Sequence, residues 1–508
     1  MTPSPQVFMG GKVYFFDPDC YSRMMRVQKT LAHPFQRIDF QDSENYPDGI
    51  YTHATAPMDY AVAALSLPMR FLSAQPVDMA GAFIGPLLNL LAILYLWGWC
   101  RFMNLRYRWM LLFVAAVSPI LSHGYVVGRP DHQCLILLFL TIALTSELTL
   151  WSKPSRRWAI TNGCAWGLAL WTSLYEPLIL FIATLILRAA LLFILPKIFP
   201  KMREWPSSEV IPEIPWRENF IALGAVLLVA FAFDGIRIPK LPKETLEYFN
   251  NWSHLIGELR PMSFSKDGIF RFTGWFLFAA PFLLIVDGFR AKSRISFALA
   301  VLVLLTGALT LWEQRWGYFI GLTFALCLPW AMRPLKYRLL GYTLFFFTLA
   351  PMAAEWEGLL FPGQEYIRFL ADKKKDAVLL RDAAEHMVST EKIPIVAPWW
   401  LSPPLAYWSG QPTVGGSSHQ SLPGIVDTAR IYLTTDPAEA KKILDRRGVG
   451  YVVAYEPERA VGSSAVILGK PTPSHSLGEI LYQTPNKAPR FLKEVYANQF
   501  FKIYRTAP

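Results

Sequence analysis

Three carboxylates in three widely separated loops are the side chains of this chain best suited to chemistry. They are Asp17 in Phe15-Phe16-Asp17-Pro18-Asp19-Cys20-Tyr21-Ser22-Arg23-Met24, Asp131 in Gly128-Arg129-Pro130-Asp131-His132-Gln133, and Glu258 in His254-Leu255-Ile256-Gly257-Glu258-Leu259-Arg260-Pro261. Ionisable groups beside membrane-crossing sequence are costly, which makes each a functional candidate. Hard divalent cations take carboxylate oxygens and often share them with substrate phosphates. Asp17, Asp131 and Glu258 are therefore a candidate set of metal ligands, although any one of them alone reads as a solvated loop acid. Arg315, in Trp312-Glu313-Gln314-Arg315-Trp316, has the planar fork that binds phosphate through two parallel hydrogen bonds. The alternative for Arg315 is an interfacial anchor paired with Glu313. His53 is placed to reach a phosphate from the first loop, or is an ordinary loop histidine. His419, near Ser417 and Ser418, carries no nucleophile-triad pattern.

The elements that must hold these loops are apolar helices. Of 508 residues, 53% are hydrophobic, 15% aromatic and only 17% charged, which places the chain among polytopic membrane proteins. Residues 1–80 are polar and proline-bearing, too broken for a span before about 58–72. Apolar runs follow near 82–100, 109–121, 133–150, 158–174, 177–196, 218–236, 269–287, 295–312, 316–332 and 339–354, predicting about ten transmembrane helices within 81–355. Every second connection is basic: Arg101, Arg106 and Arg108; Lys153, Arg156 and Arg157; Lys197, Lys201, Arg203 and Arg217; Arg290, Lys292 and Arg294; Arg333, Lys336 and Arg338. By the positive-inside rule those loops are cytoplasmic. Asp17, Asp131 and Glu258 then all fall on the opposite, outer face. An outer N-terminus at Met1 predicts a further helix upstream.

The net charge of +11 is explained by these topology signals, so nucleic acid is not an expected partner. The five cysteines show no spacing of a disulfide framework or zinc site. After residue 355 the apolar periodicity stops. An amphipathic helix over 362–392, an extended run from Ile393 to Trp400, a Pro/Gly-rich loop over 401–424, a helix over 436–446 after Asp436-Pro437, and a strand from Val449 to Tyr455 predict an α/β domain at 356–508.

Five stretches, in order, resemble the catalytic subunit of oligosaccharyltransferase, especially the archaeal and bacterial single-subunit enzymes. FFDPDCYSRMMRV with NYPDGIYTHATAPMDY resembles that family's first outer loop, and GRPDHQ its second acidic motif. HLIGELRP resembles the fifth outer loop, EQRWGYF the arginine-bearing helix start, and APWWLSPPLAYWSG the double-tryptophan motif. The resemblance implies a C-type membrane glycosyltransferase fold, an α-helical polytopic protein with a C-terminal extracytoplasmic α/β domain, in the plasma (inner) membrane. It implies that Asp17 binds metal and contacts the acceptor, that Asp131 binds metal, and that Glu258 meets metal or acceptor from the mobile loop 237–268. Arg315, with His53, would hold the phosphates of a polyprenyl-linked glycan, and Trp399 and Trp400 would line the acceptor site. The implied cofactor is Mg2+ or Mn2+, and the acceptor is a protein asparagine or, failing that, a lipid or cell-surface polymer.

Two positions depart from the pattern. Gln133 stands where the family carries a second metal-binding side chain, and Leu401-Ser402-Pro403 replaces the Asp-Tyr-Gly that reads the acceptor's hydroxy residue. A transporter or scaffold for lipid-linked saccharides is the competing class. It would place ionisable groups near the bilayer midplane and would not account for the large C-terminal domain.

Overall fold

The structure, a computed structural model, describes residues 7–198, 200, 214–235, 237 and 246–507. Lys201 and Arg203, and the Lys240 end of the loop bearing Glu258, lie outside the described residues. The described part of each of the ten apolar runs is largely helical. Among the described residues, five helices are long and apolar enough to cross a membrane: Pro76–Phe102, His132–Leu150, Tyr175–Ile198, Trp216–Asp234 and Arg294–Trp312. The bent pair Arg338–Thr348 and Ala350–Leu360, 41° apart, makes a sixth if counted as one span. By length and composition, five or six spans thus stand against the ten or so expected.

The shortfall has local causes. The run near 109–121 breaks after Val117, and Pro119 restarts a separate six-residue helix. The run near 269–287 breaks at Gly274, which has φ +70°, and a Cβ there would lie 1.7 Å from the Thr348 carbonyl oxygen. Glycine is the residue such a crossing permits.

The first loop carries the helix α1 (Pro18–Ala32), which packs against α2 (Ala56–Met69). Arg23 and Arg26, one turn apart on α1, both reach the buried carboxylate of Asp59 on α2, at 2.9 and 2.7 Å. A buried carboxylate stripped of its cations is strongly destabilising, so this triad fixes the angle between the helices. The Arg23 of the motif therefore has a structural partner. On its other side α1 meets the C-terminal region: Tyr21 stacks edge-on against Trp408 at 4.9 Å. The buried Glu44 accepts hydrogen bonds from Ser22 at 2.7 Å and Ser421 at 2.8 Å.

The C-terminal region holds a four-stranded mixed sheet in the order Ile395–Val396, Tyr451–Ala454, Lys502–Thr506, Leu492–Ala497. The first pair is parallel and the other two are antiparallel. The helices Gln364–Glu385 and Pro437–Arg446 match the sequence reading, the latter capped by Asp436. The Pro-rich stretch after Trp400, expected as loop, starts with a helix at Ser402–Ser409. Pro403 and Pro404 sit in its first turn, where the missing N–H groups would have had no intrahelical partner.

Candidate active site

Asp17 and Asp131 are both helix N-caps. The Cys20 backbone N–H donates to Asp17 Oδ1 at 3.0 Å, with Pro18 opening α1. The His132 N–H donates to Asp131 Oδ1 at 2.7 Å, and Asp131 begins α3 (His132–Leu150). Capping satisfies orphan N–H groups and places each carboxylate at the positive end of a helix dipole.

The two loops are then tied by backbone: Phe16 N–H donates to Gly128 O at 2.9 Å. Gly128 has φ +80°, and a Cβ there would lie 2.6 Å from Val7 Cγ2, so only glycine allows this approach. One residue later Arg129, 5% exposed, lies between the two acids. Its Nε is 3.4 Å from Asp17 Oδ2 and its Nη2 3.3 Å from Asp131 Oδ2. Its Nη1 is held by the Tyr318 hydroxyl at 2.6 Å and by His123 Nδ1 at 3.0 Å. His132 Nδ1 adds a 2.6 Å contact to Asp131 Oδ1. Burial disfavours the Asp131 charge, but His132 and Arg129 outweigh it and hold this carboxyl well below its ordinary range.

Glu258 lies in the short turn Gly257–Leu259. Two residues on, Arg260 O accepts from Gln314 N–H at 2.9 Å, which ties the Glu258 segment to the neighbour of Arg315. The field of Glu258 reaches both Arg315 and Asp19. Asp19 opens to solvent among crowding protein atoms. That crowding and the charges of Asp17, Asp131 and Glu258, partly offset by a hydrogen bond with Ser417, push its carboxyl up to about 8. Arg315 pairs with the fully buried Glu176 at 2.6 Å.

Asp17 and Asp131 supply hard oxygen donors to one space, the donor chemistry that fits Mg2+ or Mn2+. That space is crossed by the Arg129 guanidinium. Among the described residues no group of three or more His, Cys, Asp or Glu side chains is gathered to hold a metal. The three-carboxylate shell expected from the sequence is thus not gathered among the described residues: Asp17 and Asp131 each contact Arg129, and the charge of Glu258 reaches Asp19 and Arg315.

His53 is not the free cation a phosphate contact would want. Its Nδ1 accepts from the Gln420 side chain at 2.6 Å, and its ring lies 4.8 Å from that of His419. Burial, then the proximity of His419, push it down to about 3. It is neutral at neutral pH and offers one N–H.

Trp399 and Trp400 meet edge-on at 5.7 Å and, with Leu255, Arg459, Ser463 and Val466, line a cavity of about 310 Å3. Trp252, on the helix Leu246–Ser253 that precedes Glu258, packs against Trp399 at 5.7 Å. The loop of Glu258 and the double tryptophan are therefore in contact. Leu401 is buried, and the Ser402 hydroxyl donates back to Ala397 O and Pro398 O. Neither side chain is free to read an acceptor.

Arg129, Asp19, Glu176 and Tyr318 are the members that the sequence reading passed over. Arg129 lay inside a motif already singled out, and Glu176 was an acid at the start of an apolar run, so both had a signal. Asp19 was named only as the neighbour of Asp17, and Tyr318 had no signal beyond its place in EQRWGYF.

No family model and no curated protein matches the sequence. Solved structures do. Archaeal oligosaccharyltransferase AglB from Archaeoglobus fulgidus, in complex with an inhibitory peptide and a dolichol-phosphate, matches with TM-score 0.64 and 15% identity, over 100% of this chain and 72% of that one. The Archaeoglobus fulgidus oligosaccharyltransferase complex with zinc and sulfate matches with TM-score 0.58 and 16% identity, over 99% of this chain and 71% of that one. ArnT from Cupriavidus metallidurans, bound to undecaprenyl phosphate, matches with TM-score 0.55 and 12% identity, over 97% of this chain and 94% of that one. The chain has the C-type membrane glycosyltransferase fold.

Proposed function

We propose that this protein is a membrane glycosyltransferase that moves a glycan from a polyprenyl phosphate or diphosphate to an acceptor, protein asparagine, at the extracytoplasmic face. The observation that carries the reading is the meeting of Asp17 and Asp131, helix caps from two distant loops, across one buried guanidinium. The bond from Gln314 N–H to Arg260 O, which ties the Glu258 loop beside Arg315, supports it.

Arg315 has one terminal nitrogen on Glu176, while its Nε has no partner among the described residues. It would hold the donor phosphate and oppose the negative charge that grows on the leaving group. Asp17 and Glu258 would orient a weak nucleophile at the anomeric carbon. Mg2+ or Mn2+, when bound by Asp17 and Asp131 with Glu258 joining from its loop, would supply Lewis-acid stabilisation of the departing phosphate. The acceptor would lie along Trp399 and Trp400 under the Trp252 helix, a contact that excludes water from one side.

The internally bonded Leu401 and Ser402 favour a second reading, in which the acceptor is a lipid or surface polymer without a hydroxy residue to be read. Purified protein in nanodiscs, given a polyprenyl-diphosphate glycan and Mn2+, should yield glycopeptide from an Asn-containing peptide, and an Asp17→Asn variant should not. Product on a lipid but never on peptide supports the second reading. A wild-type protein that binds the donor and transfers to neither acceptor sinks both.

A further inference from the structure

Glu176 lies in the first turn of the helix Tyr175–Ala189 and is fully buried, and no motif assigns it a role. Its Oε1 lies 2.6 Å from Arg315 Nη2, and its Oε2 accepts from the Ser173 hydroxyl at 3.1 Å. Gln133 Nε2 approaches Oε1 at 3.5 Å. Gln133 is thus turned toward Glu176. The first turn of α3 faces both ways: His132 contacts Asp131, and Gln133 contacts Glu176.

Among the described residues, the Arg315 guanidinium is anchored by Glu176 on one edge and steadied by the Tyr175 ring, 5.4 Å from Cζ, and its buried Nε has no hydrogen-bond partner. A buried N–H with no partner is costly to leave unmade, so it points to a ligand acceptor atom. A buried carboxylate that holds one edge of an arginine fixes the direction of the other edge.

We propose that Glu176 is a positioning residue: it holds Arg315 in the orientation that receives the donor's phosphate, and through Gln133 it links that arginine to the helix capped by Asp131. The inference rests on Arg315 being the phosphate contact.

The test measures donor and acceptor KM, kcat and unfolding midpoint for Arg315→Ala, Glu176→Gln, Glu176→Asp and the double variant Glu176→Gln/Arg315→Ala. Glu176→Gln should raise donor KM about tenfold or more, the scale of a misplaced binding group, with acceptor KM unchanged, while the unfolding midpoint falls because a buried ion pair loses its anion. Glu176→Asp should recover part of the loss, and Glu176→Gln should cost nothing further once Arg315 is alanine. Should Glu176→Gln fail to fold, Glu176→Asp against wild type decides: an unchanged donor KM there overturns the proposal. If Arg315→Ala raises donor KM and Glu176→Gln does not, the positioning role is wrong and the phosphate reading stands. If Arg315→Ala leaves donor KM unchanged, the phosphate reading falls and the inference with it.

Discussion

Replacing Arg129 by methionine should expose the electrostatic design of the site. The guanidinium is 5% exposed and is the cation lying between Asp17 and Asp131. Removing one partner from a buried charge cluster costs about 3–5 kcal/mol, because the remaining charges stay desolvated and unpaired. Here Asp17 and Asp131 side chains are 26% and 12% exposed, so water relieves part of the strain, and the expected loss is near the lower bound. Equilibrium unfolding in mixed micelles, followed by tryptophan fluorescence, measures it. The hydrogen bonds to Tyr318 and His123 disappear in any Arg129 variant, so the charge effect must be isolated by a double-mutant cycle with Asp131→Asn. Residues sharing an ion pair couple by about 0.5–3 kcal/mol. The double variant should therefore be less damaged than the sum of the singles. A divalent ion held by Asp17 and Asp131 would also offset the lost guanidinium: Mn2+ at about 100 times its Kd would return about 2.7 kcal/mol to the single variant. It should return little once Asp131 is neutral. A cost below about 1 kcal/mol, or strict additivity with Asp131→Asn, would refute the bridging role. Failure of Mn2+ to stabilise the single variant would count against Asp17 and Asp131 as ligands.

Chelation by EDTA should abolish glycan transfer, and Mn2+ or Mg2+ should restore it; full activity in a metal-free preparation removes the metal from the proposal. Trp252→Ala, distant in sequence from the double tryptophan, should raise acceptor KM as Trp399→Ala does, because the two rings support each other at 5.7 Å; an effect on donor KM alone would contradict this. His53, pushed down from 6.5 to about 3 by burial and His419, binds its proton more weakly folded than unfolded. Its contribution to stability is intact above about pH 6.5 and is lost as pH falls from there toward about 3. His53→Asn should flatten the acid limb of the stability curve by at most about 1.4 kcal/mol per pH unit, since one proton is involved; parallel limbs in variant and wild type would show that the histidine titrates normally.

Much of this was readable because membrane sequence is physically loud. A bilayer demands long apolar helices, and the described apolar runs are largely helical. Span number was less legible, since hydropathy does not report where Gly274 must turn against Thr348 or where Pro119 restarts a helix. The local motifs identified acids by position but not by partner. Arg129 illustrates the difficulty: its role depends on Gly128 passing against Val7 and Phe16, more than a hundred residues earlier, and no local pattern encodes that register. The environment of His53 was illegible for a similar reason, because its neighbours His419 and Gln420 come from the other end of the chain.

One local signal did run through the site. Asp17 precedes Pro18, Asp131 precedes a helix after Pro130, and Glu176 precedes Pro177. An acid beside a proline at the edge of an apolar run is a helix-start pattern, because proline tolerates the first turn and the carboxylate answers its N–H groups. The site is thus the place where three helices begin, and their dipoles make acids affordable beside a membrane. The same arrangement predisposes the rim to anions, since each helix start adds partial positive charge behind its acid, a cap at Asp17 and Asp131 and a first-turn residue at Glu176. A site built this way can gather carboxylates tightly and still admit a phosphate, provided arginines stand between them. Arg129 stands between the acids themselves, and Arg315 stands between Glu176 and the space the donor would enter. Exchanging their charges should therefore do opposite things: neutralising Arg129 damages the apo protein first, and neutralising Arg315 damages donor binding first.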